Sequence, residues 1–169
     1  MRARRVVAVM ACVAGSAAVP ARTAPFGAHT LELDPFHAAA VSRAVAGAAR
    51  RLQSAECRRI FGDFRDGEGV TLQARLDALG LPAADYLGRI VFTDGFGHRS
   101  CRQGHALALT SPGRRVVYVC AQRFQRAQAR DAAEAEIAVL HEALHTLGLG
   151  ENPPDSFEIT RRVEARCAP

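Results

Sequence analysis

The chain places two histidines four residues apart with a glutamate beside the first: His141-Glu142-Ala143-Leu144-His145. On a helix, positions i and i+4 lie on one face about one turn apart. Two imidazoles so placed can share one divalent ion, and Zn2+ takes histidine nitrogens at about 2.0–2.1 Å. Glu142 is turned about 100° from His141, so it reaches a water on the ion without being a ligand itself. A carboxylate at that place is the general base of zinc-assisted hydrolysis. The surrounding pattern supports a helix. Ile137, Leu140, Leu144 and Leu147 form one apolar stripe, and Ala138, His141, His145 and Gly148 form the adjoining one. The histidines therefore border a buried face, as a cleft-lining helix requires, and small Ala143 leaves room beside them.

The residues after this helix extend the pattern. The run from His141 through His145 and Gly148 to Glu151 resembles the zincin metallopeptidases, in particular the extended H-E-x-x-H-x-x-G-x-x-H/D motif of the metzincin group. The resemblance covers roughly residues 131–160, and more loosely the chain from about residue 89. It implies a glycine turn at Gly148 and a third ligand ten residues after His141, which here is Glu151. The sequence departs from the metzincin pattern in three ways. The third position is Glu, no methionine follows Met10, and only 18 residues follow Glu151. The gluzincin arrangement competes, with a glutamate ligand on a second helix, and Glu158 occupies such a position. The resemblance implies a Zn2+ held by His141, His145 and one of these glutamates, with Glu142 as base. It also implies an oxyanion donor, for which His98, His105 and Tyr118 are candidates. An extended substrate would pair with an edge strand beside the helix, either Ala106–Thr110 or Arg115–Cys120.

The elements that must position these residues can be read in order. Residues 22–33 look like an extended lead-in. Asp34-Pro35 starts a helix that runs to about Ile60, Pro being favoured at the first helical position. Thr71–Leu79 is a short helix, capped by Thr71 and ended by Gly80 and Pro82. Arg89–Thr93 is a strand. Gly95–Gly104 is a polar loop. Ala106–Thr110 and Arg115–Cys120 flank Ser111-Pro112-Gly113-Arg114 as a hairpin. Asp131 caps the helix that ends at Leu147, and Asp155 or Ser156 caps a last helix through Val163. Strands gathered together without alternating helices predict an α+β fold. With the zincin resemblance, this becomes a small, mostly antiparallel sheet packed on helices.

The ends of the chain bear on where it works. Residues 1–21 carry three arginines, a short apolar run from Val6 to Ala14 and a Val19-Pro20-Ala21 finish, the features of a secretory signal peptide. A lipoprotein box around Cys12 is a weaker variant. Removing this segment leaves 19 basic against 17 acidic residues in a domain of residues 22–169. The formal charge of +5 falls to +2, too small for a general nucleic-acid surface. All 22 basic residues are Arg, and Ala occurs 33 times. Both features read as codon bias and carry no function. Four cysteines remain, Cys57, Cys101, Cys120 and Cys167, an even set that predicts two disulfides in an exported domain with the pairing open. The expectation is a secreted or periplasmic monomer acting on a peptide or protein, without nucleic acid and without membrane insertion once the signal is removed. Two readings compete: a metal-dependent amidase or cell-wall hydrolase, and a non-catalytic zinc-binding domain. Residues 22–56 are a structural helix or a removable pro-region.

Overall fold

The computed structural model describes residues 27–168; the expected signal peptide, residues 1–21, lies outside them. The chain forms β1 (His29–Leu31), α1 (Pro35–Arg51), α2 (Ala55–Arg58), α3 (Ile60–Asp63), α4 (Leu72–Leu79) and α5 (Ala83–Leu87). It continues as β2 (Val91–Asp94), α6 (Arg99–Gln103), β3 (Ala108–Leu109) and β4 (Val116–Val119). It ends with α7 (Ala121–Arg130), α8 (Ala132–Thr146) and α9 (Ser156–Cys167). The fold is α+β, as expected.

Local chemistry explains most helix starts. The Asp34 carboxylate accepts the backbone N–H groups of Phe36 at 2.9 Å and His37 at 3.1 Å, with Pro35 at the first helical position. Thr71 accepts from the Ala74 N–H at 3.2 Å, and Gly80 ends that helix in the left-handed region at φ 64°. Asp131 accepts from Ala133 N–H at 2.9 Å and Asp155 from Glu158 N–H at 2.7 Å. The first helix is shorter than expected. It stops at Arg51, and two single turns, α2 and α3, complete the segment to Asp63.

The sheet corrects the sequence reading. Its order is β1-β2-β4-β3, and both β1–β2 and β2–β4 are parallel. Only the β3–β4 hairpin is antiparallel, so the sheet is mostly parallel, not mostly antiparallel. The physical reason is connectivity, because parallel neighbours need a crossover. Within the expected extended lead-in, His29–Leu31 form a strand, and the helices α1 to α5 are its crossover to β2. The polar loop contains α6, which with β3 carries the chain around to β4. Helix α7, between β4 and α8, was not expected at all.

The core is built from α1, the inner sheet face and α8. Val41, Ala44, Val45 and Ala48 of α1 are fully buried, as are Leu144 and Val117, and Leu140 and Phe92 nearly so. Small residues on α1 let it approach α8 closely. At Gly47 the approach is extreme: a Cβ there would stand 1.9 Å from Glu136 Oε1. Glu136 uses that space to accept from Arg51 Nε at 2.6 Å, and the same guanidinium donates to the Cys167 carbonyl at 2.5 Å. A buried carboxylate requires such a partner. Residues 35–51 therefore pack as part of the core of the described unit.

Two disulfides close the structure. Cys57–Cys167 ties α2 to the end of α9, and Cys101–Cys120 ties α6 to the end of β4. Both fit an oxidising environment. Among the described residues no helix is long and apolar enough to cross a membrane.

Candidate metal centre

Helix α8 brings His141, Glu142 and His145 to the wall of a cleft while Leu140 and Leu144 face the core. Its end is shaped by Gly148, whose φ of 112° few other residues adopt and whose Cβ would meet Asp66 Cβ at 3.0 Å. The turn sends the chain back so that the Leu149 carbonyl accepts from His145 Nδ1 at 2.7 Å. That contact fixes the tautomer: Nδ1 carries the proton and Nε2 offers its lone pair. His141 Nδ1 pairs with Thr160 Oγ1 of α9 at 2.9 Å. The two Nε2 atoms then face each other 3.0 Å apart.

Glu151 completes the group. Its Oε1 lies 3.4 Å from His145 Nε2 and 3.9 Å from His141 Nε2. The three ligand atoms all fall within 4.8 Å of one another. This group could hold a metal ion, and an N, N, O donor set with both imidazole rings oriented by hydrogen bonds suits a borderline cation. Glu158 is not part of it. Its carboxylate pairs with Arg162 Nη2 at 2.5 Å on the same helix face. Of the two candidate third ligands, the structure brings Glu151 to the histidines. Glu151→Ala is therefore expected to weaken metal binding at least tenfold, whereas Glu158→Ala leaves it unchanged. Metal titration of both variants checks this, and the opposite order would move the ligand role to α9.

Glu142 stands apart from the three. It is only 7% exposed, and its Oε2 is buried with no hydrogen-bond partner. Such an orphaned acceptor is costly unless something in the site uses it. Burial, with the Glu151 carboxylate adding to it, pushes the Glu142 carboxyl up to about 8. Burial, and then His145, pulls His141 down to about 4, so its imidazole is neutral and ready to ligate. A divalent cation between the histidines would favour the carboxylate form of Glu142. The orphaned atom and the close pair of Nε2 atoms are the features that an ion with a water would satisfy.

The cleft in front of this group has a volume of about 350 Å³ and is bounded by the β3–β4 hairpin. The hairpin is held in place from α8 itself, because the Gly113 N–H at its tip donates to the His145 carbonyl at 2.9 Å. Gly113 has φ 75°, which the tight turn needs. The expected oxyanion donors do not line this cleft. His98 stacks on Tyr118 with ring centroids 4.1 Å apart, and His105 is exposed. The hydroxyls that do line it are those of Ser100, Thr110 and Ser156, and Thr110 is committed to the Val116 carbonyl at 2.5 Å.

No protein-family model, curated protein or solved structure matches the chain. The functional reading rests on the site itself.

Sequence reasoning missed two contributors to that site, Thr160 and the Leu149 carbonyl. Both act on the outer nitrogens of the histidines, and neither has a sequence signature, since one is a carbonyl and the other comes from a separate helix. Partners of this kind typically change metal affinity by about 10–100-fold. Thr160→Val is expected to lower affinity about tenfold, and Thr160→Ser to retain it. Competition with a chelator of known affinity checks the pair.

Proposed function

We propose that the chain is an exported zinc-dependent peptidase of zincin type. The observation that carries this reading is Glu142: a buried carboxylate oxygen without a partner, beside a His141–His145–Glu151 group, in an open cleft. A site built only to stabilise the fold has no need of that carboxylate and usually has four protein ligands.

Bound zinc would supply Lewis acidity, making water acidic near neutral pH and polarising a carbonyl. The chain's own residues do the rest. His141 and His145 hold the ion through Nε2, their rings aimed by Thr160 and Leu149. Glu151 contributes one negative charge and leaves a position open to substrate. Glu142 Oε2 takes a proton from the attacking water and returns it to the leaving amine nitrogen. The sheet order leaves β3 at an edge with Ala108 and Leu109 in the cleft wall, so an extended peptide can add to it as a further strand. The signal-like pattern of residues 1–21 and the two disulfides support export, and the nearly balanced charge after residue 21 argues against a general nucleic-acid surface.

The test is hydrolysis of an unfolded protein, set against peptidoglycan fragments, with and without chelator. Chelator-sensitive cleavage of the unfolded protein supports the reading. Cleavage of the cell-wall fragments alone would make the protein an amidase instead, and cleavage of neither would leave a zinc-binding domain without catalysis.

A further inference from the structure

A second hollow of about 250 Å³ adjoins the metal group, between α8, α9 and the start of β3. It shares His141, Glu142, Ala106, Ala108 and Ser156 with the main cleft. We propose that this hollow is the side-chain subsite of the peptidase and that it selects a lysine or arginine next to the bond cleaved. The inference rests on the peptidase reading above.

Three observations carry it. The first is continuity. Glu142, more than nine-tenths buried with Oε2 unpartnered, faces this hollow as well as the cleft. A residue held beside the reacting carbonyl therefore has its side chain at the mouth of the hollow. The second is shape. Glu134, Ile137, Ala138 and His141 form one face of α8, and Ser156, Thr160 and Glu164 form one face of α9, at spacings of three and four residues. The hollow is thus a groove along two helices, about 10 Å from His141 to Glu134 by helical rise. Its middle is Ile137, Ala138 and Ala106, small or apolar surface that suits a methylene stem.

The third observation is charge. The far end carries the carboxylates of Glu134 and Glu164, and no arginine lines the groove. Glu134 is ion-paired with exposed Arg130 at the end of α7, so Glu164 carries the uncompensated charge. Glu164 has no side-chain hydrogen bond or ion pair among the described residues. A long stem ending in a cation satisfies such a groove from end to end. A short side chain leaves Glu164 without a partner, and an acidic one meets its negative charge.

A matched peptide series with Lys, Arg, Leu or Glu at one position, cleaved by the zinc-loaded full domain, tests this. The Lys and Arg peptides should exceed the Leu peptide at least tenfold in kcat/KM, with Glu last. Glu134→Gln combined with Glu164→Gln should bring the Lys to Leu ratio near one, and Glu164→Arg should shift the preference toward the Glu peptide. Both positions lie on partly exposed or exposed helix faces, so the variants fold. Cleavage of all four peptides at similar rates, or a basic preference that survives both changes, overturns this inference and leaves the peptidase reading standing. Cleavage of no peptide overturns both.

Discussion

Replacing Glu142 with glutamine is expected to leave one metal ion bound and to lower turnover by about 10²–10⁴-fold, the usual contribution of a general base. The amide has nearly the shape of the carboxylate and fills the same buried place, so His141, His145 and Glu151 keep their positions. It cannot take up a proton. Folding should not suffer, because the carboxylate it replaces is buried without a partner for Oε2, and such an atom opposes folding. Metal analysis together with kcat for the variant checks both halves. Wild-type turnover in Glu142→Gln would remove Glu142 from the chemistry. Loss of the metal would show instead that Glu142 is a ligand.

The second large effect concerns the fold. Cys57 and Cys167 are 110 residues apart in sequence, and a cross-link of that span restricts the unfolded chain by about 5 kcal/mol in the loop-entropy account. The Cys101–Cys120 link spans 19 residues and is worth about 3 kcal/mol on the same basis. Set against a total stability of about 5–15 kcal/mol for a domain, the first loss alone removes a third or more. Replacing Cys57 and Cys167 with serine is therefore expected to shift the urea midpoint far more than replacing the other pair. The consequence reaches the metal centre. Cys167 ends α9, and α9 carries Thr160, which orients His141. Metal affinity should fall in the Cys57/Cys167 variant and much less in the Cys101/Cys120 variant. Equal effects of the two pairs on stability and on metal would contradict this account.

How much of this was legible in the sequence follows from how local each signal is. The helix bearing His141 and His145 was readable because its cap, apolar stripe and glycine stop all lie within twenty residues. Its observed bounds, Ala132–Thr146, differ by one residue from those expected at the C-terminal end. The Thr71 cap and Gly80 stop of α4 were readable for the same reason. The parallel sheet was not, since β1 is three residues long and its partner β2 lies sixty residues away, so no local alternation reports the pairing. Helix α7 was hidden by a thin apolar stripe: only Phe124 and Ala127 are buried on it, and the rest is arginine and glutamine with Ala121 and Ala129. Helix α6 sits inside a stretch whose glycines read as loop, and the Cys101–Cys120 bond anchors it there. At the site, the histidine spacing and the place of Glu151 ten residues on were both visible. What orients them, a hydroxyl from α9 and a carbonyl after Gly148, depends on tertiary packing.

The measurement that bears most directly on the central claim is the metal content of the protein purified with its disulfides formed and without chelator. The expected result is about one zinc per chain, abolished in His145→Ala, since the His141, His145 and Glu151 ligand atoms lie within 4.8 Å of one another and a neutral imidazole lone pair is already presented there. A protein that contains no metal and takes up none on addition of Zn2+ would contradict the metal centre and every step of chemistry argued from it.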